Sequence, residues 1–167
     1  PYGIVPRNRI EEAAWPALRG QIFWEASEIM LRLLNGESFS SESVRKTILT
    51  RANFRSDADW EEVQQAVMMH NSLDNRPEHV EIPNRYTFEE IKCIPQNWDR
   101  NLLNLVLGSH EPSLQVEVNR WRPVQVFNLS ITQPEVIEET HERMNDSYHV
   151  DGGSWQRSMM PRTIMVF

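Results

Sequence analysis

Lysine is almost missing from this chain: Lys46 and Lys92 are the only two among 167 residues. Cysteine occurs once, at Cys93, which excludes an intramolecular disulfide and leans toward a reducing compartment. No apolar run approaches the roughly twenty residues of a membrane-crossing helix, and the mean hydropathy of -0.56 agrees. Excess positive charge is lacking too. The formal net charge of -7 argues against a general nucleic-acid binder, which needs clustered cations to neutralise phosphates. The chain opens on Pro1 with no charged-then-apolar leader, as expected of a processed chain or a piece of a longer one.

What the chain has instead is arginine as nearly its whole cationic complement, with six Trp and seven Met. Arginine forks onto carboxylates and stacks on rings. With Trp and Met it is enriched at protein–protein interfaces, where lysine is depleted. Codon bias in the source genome is the competing explanation. Asn128-Leu129-Ser130 and Asn145-Asp146-Ser147 match the glycosylation acceptor pattern, but Asn128 falls in a stretch that reads as strand, so neither is expected to carry a glycan.

Periodicity divides the chain into a helical front and a mixed back. Residues 1–15 read as an extended, proline-containing arm, followed by a single domain over 16–167, helical over 16–108 and mixed β/α over 109–167. The first helix is expected from Pro16 to Asn35, with Leu18, Ile22, Ala26, Ile29 and Leu33 at helical spacing and Gly36 at the left-handed stop. A second is expected from Ser40 or Ser41 to Asn53 on the stripe Val44, Ile48 and Ala52. A third starts after Ser56, which with Asp59 forms an acidic capping box, and buries Trp60, Val63 and Val67. A short strand is expected at His79–Ile82, and short helices at Phe88–Cys93 and from Asn97 to Leu107.

After Pro112 the period drops to two. Leu114, Val116 and Val118 alternate with polar residues, predicting a strand, and Val124–Ile131 predicts another. Pro134 opens an acidic helix to Asn145, Asp151-Gly152-Gly153 makes a turn, and Thr163–Phe167 reads as a closing strand. The fold class expected is α+β: a helical N-terminal half, then a small mixed sheet with an accompanying helix.

Motifs for chemistry are weak. His141-Glu142 lacks the second histidine on the same helical face, since position 145 is Asn, so no metal is expected. Cys93 has no base fixed beside it and reads as a small packed side chain. Asp151–Ser154 is too short for a phosphate loop and lacks the following Lys with Ser or Thr. The acidic pairs Glu11-Glu12, Glu61-Glu62, Glu89-Glu90 and Glu138-Glu139 point about 100° apart along a helix and read as solvated faces. No cofactor is expected.

The most suggestive surface is Asn119-Arg120-Trp121-Arg122. If extended, it places Arg120 and Arg122 on one face and Trp121 on the other. Together with Ile164 and Val166 of the closing strand, these residues are the expected contacts to a protein partner or to a second copy. A terminal strand completes a neighbour's sheet by strand addition. The function expected is a non-enzymatic structural or assembly module, within a larger polypeptide or a viral particle, cytoplasmic in setting and without a membrane span. The alternative is a small-molecule enzyme whose site is assembled from acidic residues and His79, His110, His141 and His149, groups that titrate near neutrality.

Overall fold

Asn8 starts the first helix earlier than the proline suggests. In the computed structural model, which describes residues 4–164, its side-chain oxygen accepts from the Glu11 N–H at 2.9 Å, as an N-cap does. Helix α1 therefore runs Arg9–Leu34 and carries Pro16 inside it. Residues 9–15, expected in an extended arm, are helical: Asn8 caps their start, and Ala14 with Ile10, Ala13 and Trp15 packs into the core, which offsets the cost of the proline inside the helix. Gly36 takes the left-handed conformation at φ 82°, where the helix stops as expected.

The fold is α+β with a helical N-terminal half. Four α-helices stand among the described residues: α1, α2 (Asp57–Asn71), α3 (Pro112–Val118) and α4 (Pro134–Ser147). The strands are β1 (Thr47–Leu49), β2 (Val80–Ile82), β3 (Leu105–Leu107) and β4 (Val124–Val126). They form two separate pairs instead of one mixed sheet: β1 with β2 antiparallel, β3 with β4 parallel. Contacts divide the chain into two compact units. One holds the residues before Ser27 together with Phe39–Glu90; the other holds Ser27–Ser38 and the residues from Ile91 onward.

In the first unit, Leu18 and Ile22 of α1 meet Trp60, Val63 and Val67 of α2, with Leu49, Val80 and Ile82 from the sheet. Ser56 caps α2 by accepting from the Asp59 N–H at 3.2 Å, as its sequence implies. The helix expected over residues 40–53 is absent. Thr47 and Ile48 are β-branched, and Ile48 is exposed beside a fully buried Leu49, so burial alternates with the period of a strand. The helix expected at Phe88–Cys93 is also absent, because the Phe88 backbone is bound to Ser41: its carbonyl accepts from the Ser41 N–H at 3.1 Å and its N–H donates to the hydroxyl at 3.2 Å.

In the second unit, Val126, Met144, Trp155 and Met160 pack together. Here the periodicity misleads twice. The strand expected over 113–119 is helix α3, whose start the Glu111 carboxylate caps by accepting from the Ser113 and Leu114 N–H groups. Leu114, Gln115 and Val118 are buried and Val116 is not, which is a helical pattern. Leu114 and Val118 fit a strand and a helix equally well, being four apart; the buried Gln115 decides. The helix expected from Asn97 breaks into a 3-10 turn at Arg100–Leu102 and then β3. Strand β4 ends five residues before Ile131. Thr163 and Ile164 lie in no strand, and residues 165–167 of the expected closing strand lie outside the described residues.

Candidate functional site

The residues singled out from sequence do not form one surface. Asn119–Arg122 is a turn leaving α3, not an extended segment: the Arg120 and Trp121 N–H groups donate back to the Glu117 and Val118 carbonyls at 3.0 and 3.3 Å. Arg120 and Arg122 consequently do not share a strand face. Arg122 donates to the Leu34 and Arg100 carbonyls, both at 3.0 Å. The Trp121 carbonyl accepts from the Asn35 side chain at 2.9 Å, and the Arg32 guanidinium lies 5.7 Å from the Trp121 ring centroid. Arg120 is 70% exposed and pairs with Glu117 at 2.8 Å, a hydrogen bond that raises the guanidinium above its ordinary pKa. Ile164 is 79% exposed, and Val166 lies outside the described residues.

Of the four candidate histidines, three have a neighbour within hydrogen-bond distance. His141 accepts the Trp155 indole N–H at 2.9 Å, and His149 accepts the Asp151 N–H at 3.2 Å. His110 lies 3.4 Å from the Thr132 hydroxyl, and His79 is exposed. Among the described residues no three His, Cys, Asp or Glu side chains gather as a metal ion would require. A groove of about 490 Å³ between α1 and α2 is lined by Arg9, Glu12, Glu62, Met69 and His70. Every one of these side chains is exposed, so the groove has no desolvated group of the kind that catalysis uses. At the turn over residues 151–153, the Gly152 and Gly153 N–H groups donate to the His149 and Val150 carbonyls at 2.9 and 3.1 Å, so they are not free to cradle an anion. Asn128, an acceptor by pattern, is buried, with no room for a glycan. No helix among the described residues is long and apolar enough to cross a membrane.

Glu11 corrects the reading of the acidic pairs. Its side chain is 2% exposed, held by the Arg7 guanidinium at 2.5 Å and by Arg85 at 3.1 Å. Glu25, also buried, accepts the Arg85 and Tyr86 N–H groups at 3.1 and 2.9 Å. Both carboxylates on this face of α1 are used to fasten the segment after β2. They are structural anchors.

What is left open is the outer edge of β3. Leu107 stands opposite Val126, and its carbonyl accepts from the Phe127 N–H at 2.8 Å. Neighbours along a strand direct their backbone groups to opposite edges, so the Val106 N–H and carbonyl point away from β4. Among the described residues nothing pairs with them. Val106 is 45% exposed and Leu102, just before the strand, 82%. On the other edge of the pair, Val124 and Asn128 have partners. The buried Asn119 side chain accepts from the Val124 N–H at 3.0 Å and donates to the Val124 carbonyl at 3.2 Å. Farther along, Asn128 exchanges bonds with Pro161 and Thr163 at 2.8 and 3.1 Å. The sequence signal for β3 is the uncharged run Asn101–Ser109, hidden by reading its leucines as a helical stripe.

Comparison with protein-family models, with curated proteins and with solved structures finds no match to this chain.

Proposed function

We propose that this chain is a non-enzymatic assembly module that binds another polypeptide by strand addition along β3. One observation carries the reading: an uncharged, apolar edge strand whose Val106 N–H and carbonyl have no partner among the described residues. Natural sheets guard their edges with charge, with proline or by keeping the edge strand short; β3 has only three residues, but it carries neither charge nor proline. An added strand satisfies both groups with main-chain hydrogen bonds. Arg120 and Ile164 are further exposed groups able to contact the partner; Arg122 and Trp121 are engaged within the fold.

The test is a photo-reactive benzophenone amino acid at position 106, compared with the same probe at Ile48, an exposed position on β1. Irradiation in the producing cell is expected to join position 106 to one discrete polypeptide, identified by mass spectrometry, and to leave position 48 unjoined. Equal labelling at both positions, or none at 106, defeats the reading.

A further inference from the structure

We infer that the strand received by β3 is β3 of a second copy of this chain, laid antiparallel about a two-fold axis through Val106. The inference rests on the strand-addition reading above and names its partner.

The backbone geometry is self-complementary. Val106 is the residue of β3 whose N–H and carbonyl both face outward. In an antiparallel ladder, alternate opposed residues exchange both of their hydrogen bonds. With the axis at Val106, its N–H donates to the carbonyl of the second copy's Val106 and the reverse bond forms by symmetry. Leu105 then stands opposite Leu107 of the other copy, and Asn104 opposite Gly108. A Cβ at Gly108 would meet nothing within 4 Å, so the backbone there is open to a neighbour. The two parallel pairs become one sheet of four strands, with Asn119 bonded to Val124 along each outer edge.

Local charge does not oppose this partner. Every residue from Asn101 to Ser109 is uncharged, so self-pairing over the ladder opposes no two like charges, whose juxtaposition across strands is destabilising. Away from the ladder, each copy carries a formal -7, and two such chains repel at long range. Salt screens that repulsion over about 8 Å at physiological strength and leaves the uncharged ladder untouched. Self-association therefore tightens as salt is added. Capture of a basic partner by an acidic protein weakens under the same change.

The experiment uses the full chain. Sedimentation equilibrium across a concentration series is expected to show a monomer–dimer equilibrium that strengthens between low and physiological salt. Val106→Lys places two ammonium groups across the axis and is expected to weaken dimerisation by about tenfold or more. For the register, Val106→Cys and Asn104→Cys are each made with Cys93→Ser and oxidised mildly. Paired residues of this kind stand about 5.5 Å apart between Cα atoms, inside the range a disulfide spans, so the position 106 variant forms a linked dimer. At position 104 the two copies lie too far apart to be joined. Both positions are exposed, so neither change disturbs the core. A wild-type chain that stays monomeric at all concentrations, a dimer indifferent to Val106→Lys, or equal linking at 104 and 106 overturns the inference. If the chain is monomeric while the position 106 benzophenone joins a different polypeptide, the second copy is refuted and strand addition stands. If the probe joins nothing, both fall.

Discussion

The two small sheets are matched in size and opposite in how their edges are guarded. The antiparallel β1–β2 pair is ringed by charge and proline: Arg45, Lys46 and Arg51 flank β1, Glu78 and Pro83 flank β2, and Lys46 pairs with Glu81 at 2.9 Å. The β3–β4 pair is parallel, and parallel strands are ordinarily buried within larger sheets. On its β4 edge the Asn119 side-chain amide covers Val124, and its β3 edge carries no charge at all. Unguarded edges are avoided in natural sheets. The contrast within one chain teaches that the β3 edge is exceptional against the protein's own standard.

The largest effect expected from breaking this comparison lies in the guarded unit. Glu11→Ala leaves the Arg7 and Arg85 guanidinium groups without the buried carboxylate that holds them, and removes an acceptor from the Arg7 N–H. Deleting one partner of a buried pair costs about 3–5 kcal/mol. Hydrogen exchange followed by mass spectrometry is expected to show lost protection at Val63 and Val67 of α2 while the amides of α4 keep theirs. An equal loss in both units means that the anchor supports the whole chain and that the division into guarded and unguarded parts is energetically empty.

That anchor also marks how far the sequence could be read. Helices with explicit start signals are legible: Ser56 as the cap before α2 and Pro134 as the first residue of α4 both stand where their residue types imply. The α+β class followed from them. For residues 9–15 two signals compete: Pro16 marks a helix start, while Asn8 and Glu11 form an Asn-x-x-Glu capping signal that the fold obeys. Elements of three to seven residues were read worst. Over such a length apolar residues four apart satisfy both periods, and only the burial of Gln115 separates the helical from the strand reading of Leu114 and Val118. The candidate site escaped for the same reason. Whether a leucine-rich run is a helix face or an open edge depends on which backbone groups β4 takes, and β4 is distant in sequence. Arg122 was prominent by residue type, yet its partners Leu34 and Arg100 were equally remote.

A middle-sized effect is expected at the sealed edge of the second sheet. Asn119→Ala deprives the buried Val124 N–H and carbonyl of their only described partners, at a cost of about 1–3 kcal/mol. Urea unfolding measures the loss. Asn119→Asp sharpens the test, because it keeps the acceptor for the Val124 N–H but sets a carboxylate oxygen against the Val124 carbonyl, and so does not restore stability. Smaller still is the stability change at the open edge. Val106→Lys is expected to shift the monomer by no more than about 0.5 kcal/mol, as an exposed substitution does. Its effect belongs to association, and a large stability loss in the isolated monomer would show that Val106 is covered from within.

The smallest effect contrasts the buried anchor of the first unit with an exposed ion pair of the second. Arg157 grips Glu138 with two bonds of 2.6 Å, tying the turn Arg157–Met159 to α4. The hydrogen bond from Arg157 holds the Glu138 carboxyl below its ordinary value, against a weaker opposing push from desolvation. A carboxyl lowered by folding stabilises the fold at pH values above its unfolded pKa, about 4.3 for glutamate, and that contribution fades as pH falls through the lower folded value. Glu138→Gln cannot titrate. Thermal melts of the two proteins are therefore expected to differ slightly at neutral pH, with the wild type higher, and to converge as the solution is acidified below the ordinary glutamate range. Both side chains are more than half exposed, so water and salt screen the pair, and the gap at neutral pH is expected to narrow on adding salt. The buried Glu11 anchor should show no such narrowing. A Glu138 gap that equals the Glu11 effect, or that survives high salt, would place a second anchor in this unit and erase the contrast between them.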